Sequence, residues 1–205
     1  MSPTPRPALS RAHFATALAS HQPKEVSSII APSRAAIAAV LREGEGGPEV
    51  LLMERAHRAG DRWSGQVSLP GGRAEPHDRD LLATALRETE EEVGLHLETS
   101  ADLLGRLDDV HAMAKAKLLP MAVTPFVFAA RDVPMAVRLS HEATEAFWFP
   151  LGRASCGELD GTHVYTLGPT TWDLPCWRFE GHTVWGLTHK VLRGLLALAS
   201  TDHVR

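Results

Sequence analysis

Four glutamates, Glu88, Glu90, Glu91 and Glu92, fall within five residues, directly after Arg87. A helix advances by about 100° per residue, so Glu88, Glu91 and Glu92 project within one arc and Glu90 on another side. Like charges at these spacings repel, each pair costing roughly a few tenths of a kcal/mol. Such an arrangement makes sense where cations bind it. Hard oxygen donors with net negative charge suit Mg²⁺ or Mn²⁺, which in turn neutralise phosphate oxygens. Arg87 falls one turn before Glu91, where its guanidinium can hold a carboxylate in one rotamer by charge-assisted hydrogen bonds. Gly71-Gly72 precede the glutamates by a loop. Glycines let backbone approach a metal or phosphate closely, which makes the Gly71 carbonyl a further candidate ligand.

The elements that must hold these residues are readable from periodicity. Leu82, Ala85, Leu86, Thr89 and Val93 recur at spacings of three and four, which predicts a helix over Leu81–Val93 with one apolar stripe. Gly94 ends it in the usual C-terminal position. Upstream, residues 35–42 and 49–55 flank the turn-rich EGEGGP, a pattern of two strands joined by a loop. A third strand is expected over Gln66–Leu69, stopping at Pro70-Gly71-Gly72. Further strand-like runs are Ala101–Leu107, Leu119–Phe128, Ala146–Leu151 and Trp177–Glu180. Residues 9–20 suggest a short helix. Val184–Ala199 is apolar almost all round and is expected to be a well-buried helix. Residues 1–8 read as a flexible N-terminal tail and 9–205 as one α/β domain, since strands mix with helices and no linker or repeat interrupts them.

Composition narrows the classes. The chain has 205 residues, 44% hydrophobic and 22% charged, ordinary for a globular protein. A net charge of −4 gives no basic field for nucleic acid or an anionic membrane. No apolar stretch reaches the 18 or so residues of a membrane span. The two cysteines, Cys156 and Cys176, form no Cys-x-x-Cys pair, and free thiols in a reducing compartment are expected. With no secretory pattern at the N-terminus, the expected location is cytoplasmic.

The stretch LPGGRAEPHDRDLLATALRETEEEVGL, Leu69 to Leu95, resembles the Nudix box. Arg87, Glu88, Glu91, Glu92, Gly94 and Leu95 fall in register on its second half. Thr89 stands where an apolar residue is usual. Upstream, Asp78 replaces a glutamate and lies one residue further from Arg87, which marks that acid as structural. A solvated acidic helix face is the bland alternative. With each residue type at roughly one in fifteen, five fixed positions match by chance about once per million windows. The resemblance implies a Nudix-type α/β/α sandwich with a mixed sheet and a loop–helix–loop box. It also implies hydrolysis of a diphosphate linkage in a small-molecule nucleotide substrate, with Mg²⁺ (or Mn²⁺) held by Glu88, Glu91, Glu92 and the Gly71 carbonyl.

LLMERAHRAGDRWSGQVSLPGG, Leu51 to Gly72, is similar to the signature upstream of the box in the coenzyme A pyrophosphatase-like branch. Leu51, Leu52, Arg55, Ala56, Gly65, Pro70, Gly71 and Gly72 match; Met53 replaces a threonine and Leu69 an aromatic. That branch implies coenzyme A or an acyl derivative as substrate, cut to 3′-phospho-AMP and 4′-phosphopantetheine. Arg55, Arg58, Arg62 and Arg73 are then the candidates for its phosphates. Nucleoside diphosphate sugars, ADP-ribose and nucleoside triphosphates stay open as substrates, and a ligand-sensing module without turnover stays open as another class. A homodimer is compatible with the sequence. Nudix enzymes often recruit one more carboxylate from a loop, and Glu142 and Glu145 are the candidates. The eleven histidines form no zinc-like cluster, and Ser64 and Ser68 lack a His–Asp partner pattern. Of the five tryptophans, most are expected in the core, with room for one that stacks on a base.

Overall fold

From Ala35 to Leu41 every residue of strand β1 (Ser33–Gly44) is buried. An unbroken buried run marks a strand covered on both faces, and β1 is the centre of the molecule. A computed structural model describes residues 9–57, 63–114, 117–131 and 137–201. In it β1 turns into β2 (Gly47–Arg55) as an antiparallel hairpin and pairs in parallel with β7 (Lys117–Ala130). Around these lie β3 (Val67–Ser68) on β2, β4 (Gly71–Arg73) on β1, β5 (Ala101–Arg106) and β6 (Val110–Ala114) on β7, and β8 (Ala143–Pro150) on β2. The result is one mixed eight-stranded sheet.

The pleat sends alternate residues of β1 to opposite layers. Ala36, Ala38 and Val40, with Leu51 and Met53 of β2, pack against Ala85 and Val93 of α2 (Leu81–Val93). Ile37, Ala39 and Leu41, with Val50 and Leu52, pack against Phe14 and Leu18 of α1 (Arg11–Ser20) and Leu192 and Leu195 of α5 (Gly186–Thr201). Two short helices, α3 (Leu97–Ser100) and α4 (Leu151–Ser155), complete the helical elements among the described residues. The helix–sheet–helix sandwich expected from the sequence is present.

Several local expectations change. The strand expected over Gln66–Leu69 is β3 and stops before Pro70, but Gly71-Gly72 with Arg73 form a further strand, β4, in register with Ile37, Ala36 and Ala35. Val184-Trp185 belong to β11 (His182–Trp185), so the last helix starts at Gly186. That helix is amphipathic: Lys190, Arg193 and Gly194 are exposed while Val191, Leu192, Leu195 and Leu196 are buried. A second sheet, in the order β11-β10-β9, adds β9 (Asp160–Leu167) and β10 (Thr170–Phe179). Among the described residues no helix is long and apolar enough to cross a membrane.

The segment between β4 and α2 is held by Asp78, whose side chain is 4% exposed. Its two oxygens accept from Arg87 Nε and Nη2, each at 2.9 Å. The Thr84 hydroxyl and the Glu75 amide also donate to it, again at 2.9 Å. Asp80 caps the helix by accepting from the Ala83 amide at 2.8 Å, and Gly94 closes it with φ of 72°. The hydrogen-bonded Arg87 guanidinium holds the Asp78 carboxyl well below the ordinary carboxylate range. The stabilisation from a depressed carboxyl is complete above its ordinary value of 3.8 and is lost only as pH falls through the folded value. Asp78→Ala should therefore lower stability at neutral pH by about 1.5–3 kcal/mol, the worth of charged hydrogen bonds. Asp80→Ala should cost about 1 kcal/mol as a lost cap. Urea melts with an unchanged slope would check both values.

Candidate active site

Glu92 lies on the inward face of α2, seven residues after Ala85, and is only 2% exposed. A carboxylate so placed needs donors. The Gly71 amide donates to Oε2 at 2.8 Å, and Arg55 Nη1 stands 3.5 Å from Oε1. Burial nonetheless dominates and pushes the carboxyl up to about 8, with Glu88 and Glu142 acting in the same direction. Glu88 is raised too, first by burial and then by Glu91 and Glu142, while Arg87 opposes the rise. Glu88 and Glu92 are thus pressed by each other or by their neighbours Glu91 and Glu142, and a cation among them would relieve that repulsion.

The two glycines of β4 make this approach feasible. A Cβ on Gly71 would stand 2.3 Å from the Ala36 carbonyl oxygen, and the residue has φ of 148°, so only glycine fits. A Cβ on Gly72 would stand 2.4 Å from the Glu88 carboxyl carbon. The glycines seat strand β4 directly against the two carboxylates.

These groups open onto a cavity of about 430 Å³. Its lining brings charged residues (Glu88, Glu92, Glu142, Arg55 and Arg73) together with apolar ones that include Ile37, Val67, Leu69, Met121, Val123, Trp63, Met113, Trp185 and Leu187. Oxygen donors, guanidinium groups and an apolar slot together suit a phosphate ester with a non-polar portion.

The residues singled out in the sequence separate in space. Glu88 and Glu92 face the cavity. Glu91 is 58% exposed and accepts from Arg87 Nη1 at 3.1 Å, so it stands beside the cavity rather than in its lining. Arg87 ties the motif together: besides Asp78 and Glu91 it donates to Glu88 Oε1 at 2.9 Å and to the Arg73 carbonyl at 3.1 Å. Arg55 reaches the cavity but is engaged with Glu92, while Arg73 is exposed where it lines the cavity. Arg58 and Arg62 lie outside the described residues. Of the two extra acids, Glu142 lines the cavity. Glu145 is on β8, opposite Glu54, and faces His182 Nε2 at 3.5 Å. The contribution of Met113 escaped sequence reading because strand β6 was not recognised; Trp185 reads from the sequence as part of the last helix, and Leu187 does lie on that helix, α5. The alternation in His182–Trp185 was the available signal.

Comparison with known proteins agrees with this geometry. A family model for the NUDIX domain matches residues 32–167. The human protein named mitochondrial coenzyme A diphosphatase NUDT8 is 34% identical over 171 residues, 82% of this chain and 70% of its own length. The protein named Nudix hydrolase NudL of Yersinia pestis (strain Pestoides F) is 31% identical over 150 residues, 72% of this chain and 71% of its own. The MutT protein from Methanosarcina mazei Go1, a crystal structure, aligns with 91% of this chain and 100% of its own at a TM-score of 0.51 and 21% identity, which shows a shared fold. With the family match running from the start of β1 to the end of β9, and Glu88 and Glu92 of the motif on one cavity, the chain belongs to the Nudix family and is a pyrophosphohydrolase.

Proposed function

We propose that this protein hydrolyses the diphosphate of coenzyme A or an acyl derivative to 3′-phospho-AMP and 4′-phosphopantetheine, with Mg²⁺ or Mn²⁺. The observation that carries the reading is one cavity whose lining joins Arg55 and Arg73 to Glu88, Glu92 and Glu142 and to apolar side chains such as Ile37, Leu69 and Val123. The identity with the human coenzyme A diphosphatase supports the choice of substrate. The donor set fits a hard divalent ion: it is all oxygen and net negative, and burial first, then neighbouring carboxylates, hold Glu88 and Glu92 above their ordinary pKa. Glu88, Glu92 and the Gly71 carbonyl would hold the ion, with Glu91 beside them. Such an ion supplies charge stabilisation on the diphosphate and lowers the pKa of the attacking water.

The chain's own groups do the rest. Glu142 accepts the proton of the attacking water, since it reaches the cavity from the turn before β8. Arg87 acts through others: it fixes Glu88 and Glu91 against Asp78 and is not itself among the residues that line the cavity. Arg73 takes the 3′-phosphate as a bidentate partner. Arg55 keeps Glu92 oriented and faces the bridging phosphates.

Glu92→Gln and Glu88→Gln should each lower kcat by orders of magnitude with the fold intact, and EDTA should abolish turnover; full activity in chelator would refute the metal-dependent mechanism. Arg73→Ala should reduce kcat/KM for coenzyme A by roughly tenfold to 150-fold, the worth of a charged hydrogen bond. It should barely change the value for 3′-dephospho-coenzyme A. Equal or better turnover of the dephospho form by the parent enzyme would exclude a 3′-phosphate clamp. A third test is pH dependence. The raised Glu92 carboxyl makes the native state bind more protons than the unfolded chain between its ordinary 4.5 and about 8. Stability without metal therefore falls as pH rises through that window. Thermal melts in EDTA should show the decline, Glu92→Gln should flatten it, and added Mg²⁺ should recover most at the alkaline end.

A further inference from the structure

Glu54 of β2 and Glu145 of β8 stand directly opposite one another across the two strands. Like charges so placed repel. Among the described residues neither pairs with a lysine or an arginine; the side chain that meets both is His182 of β11, in the second sheet. Its Nδ1 lies 3.4 Å from Glu54 Oε2 and its Nε2 3.5 Å from Glu145 Oε1. The ring is 11% exposed and stacks on Phe147 at 4.1 Å, which fixes its plane. A carboxylate at each nitrogen suits an N–H at each, which only the imidazolium provides. The same split disfavours a shared metal ion, which would gather both carboxylates at one nitrogen. Directly after the opposed pair the register of β2 and β8 shifts: Arg55 faces Ala143, and Thr144 is the extra residue of a bulge. The Thr144 hydroxyl donates to the Glu54 carbonyl at 3.3 Å, and the Ala56 amide to the Glu142 carbonyl at 2.8 Å. Past the bulge stand Arg55 and Glu142, both in the cavity lining, whereas Glu54, Glu145 and His182 are not in it.

We propose that His182, as an imidazolium, is a positioning residue for the hydrolysis: it holds the opposed Glu54 and Glu145 together and thereby sets the place of Glu142. The inference rests on the assignment of Glu142 above as the group that accepts the water proton. Without a cation between them, the two carboxylates push the first residues of β8 away from β2. The turn that carries Glu142 is continuous with those residues and moves with them. Among the described residues, the charged groups that meet the ring are those two carboxylates. Phe147 of β8, and Phe179, its register partner on β10, bring no charge. The second sheet thus reaches the catalytic end of the cavity through one ring that never touches the substrate.

The test measures kcat and KM on coenzyme A, or on ADP-ribose should coenzyme A not be cleaved, at about pH 6 and about pH 8, either side of the range in which imidazole titrates. His182→Phe keeps a ring on Phe147 and removes the charge. At about pH 6 it should lower kcat roughly tenfold, within the roughly 100-fold that a misplacement of about 1 Å costs, and leave KM nearly unchanged. At about pH 8 the parent ring gives up its second proton, so the gap between parent and variant should narrow. Glu145→Gln added to His182→Phe removes the repulsion and should restore most of the lost kcat at about pH 6, which a ring that mattered only as packing would not allow. Circular dichroism and melting temperature report whether each variant is folded. A His182→Phe enzyme with the parent kcat, a gap that does not narrow with pH, or a double variant no better than His182→Phe overturns the positioning role and leaves Glu142 standing as the base. A Glu142→Gln enzyme with the parent kcat overturns the assignment of the base and the positioning role with it.

Discussion

The structure is organised around a carboxylate where a carboxylate is expensive. Glu92 occupies the inward face of its helix, among positions that otherwise hold Thr84, Ala85, Thr89 and Val93. Removing such a group from water is unfavourable unless donors or a cation compensate. The amide of Gly71 is one donor, and its strand reaches Glu92 only because no Cβ stands between β4 and β1. The alanines of β1 have a matching role, since their small side chains leave room for α2 to lie close to the sheet. Helix, glycine strand and central strand are thus coupled through one buried charge.

A second constraint acts at the other end of the same helix. Arg87 satisfies Asp78, Glu88, Glu91 and a backbone carbonyl at once, which uses its planar, multiply donating guanidinium fully. A lysine could not reproduce that fork. The acid that departs from the family pattern, Asp78, is the bidentate partner, so the longer box is accommodated by anchoring the loop to the helix. The departure changes how the loop is held and leaves the cavity-facing glutamates in register.

What could be read from the sequence followed physical strength of signal. The α2 helix was legible to the residue, because an apolar stripe, an acidic motif and a capping glycine all agreed on Leu81–Val93. The central hairpin was legible from its buried run and turn residues. Strands β6, β9 and β11 were not: they are short or half-exposed, and their alternation of His, Thr, Tyr and Trp mixes polar with aromatic residues. The last helix was misjudged because Val184 and Trp185 are apolar for a different reason, one packing inward from a strand and the other walling the cavity. Spacing alone placed Glu88, Glu91 and Glu92 on one arc. It could not distinguish the two that face the cavity from the one held aside by Arg87. Nor could it separate Glu142 from Glu145: the first sits in the turn before β8 and lines the cavity, and the second lies on β8 and meets His182.

The three-stranded sheet is joined to the main sheet by packing and not by shared strand pairing. Trp177 and Phe179 rest on Phe149 on one side, and on the other Trp185 walls the cavity. It follows that the molecule is divided into a conservative part and a permissive one. Gly71 is fitted to β1 and to Glu92, and Gly72 to Glu88, so this part tolerates little change. The outward face of β9 and β10 carries no such obligation. Substitutions at His163 or Tyr165, which pack on Trp185, can shift that wall of the cavity without touching the carboxylates, so the shape of the cavity and its acidic end can change independently.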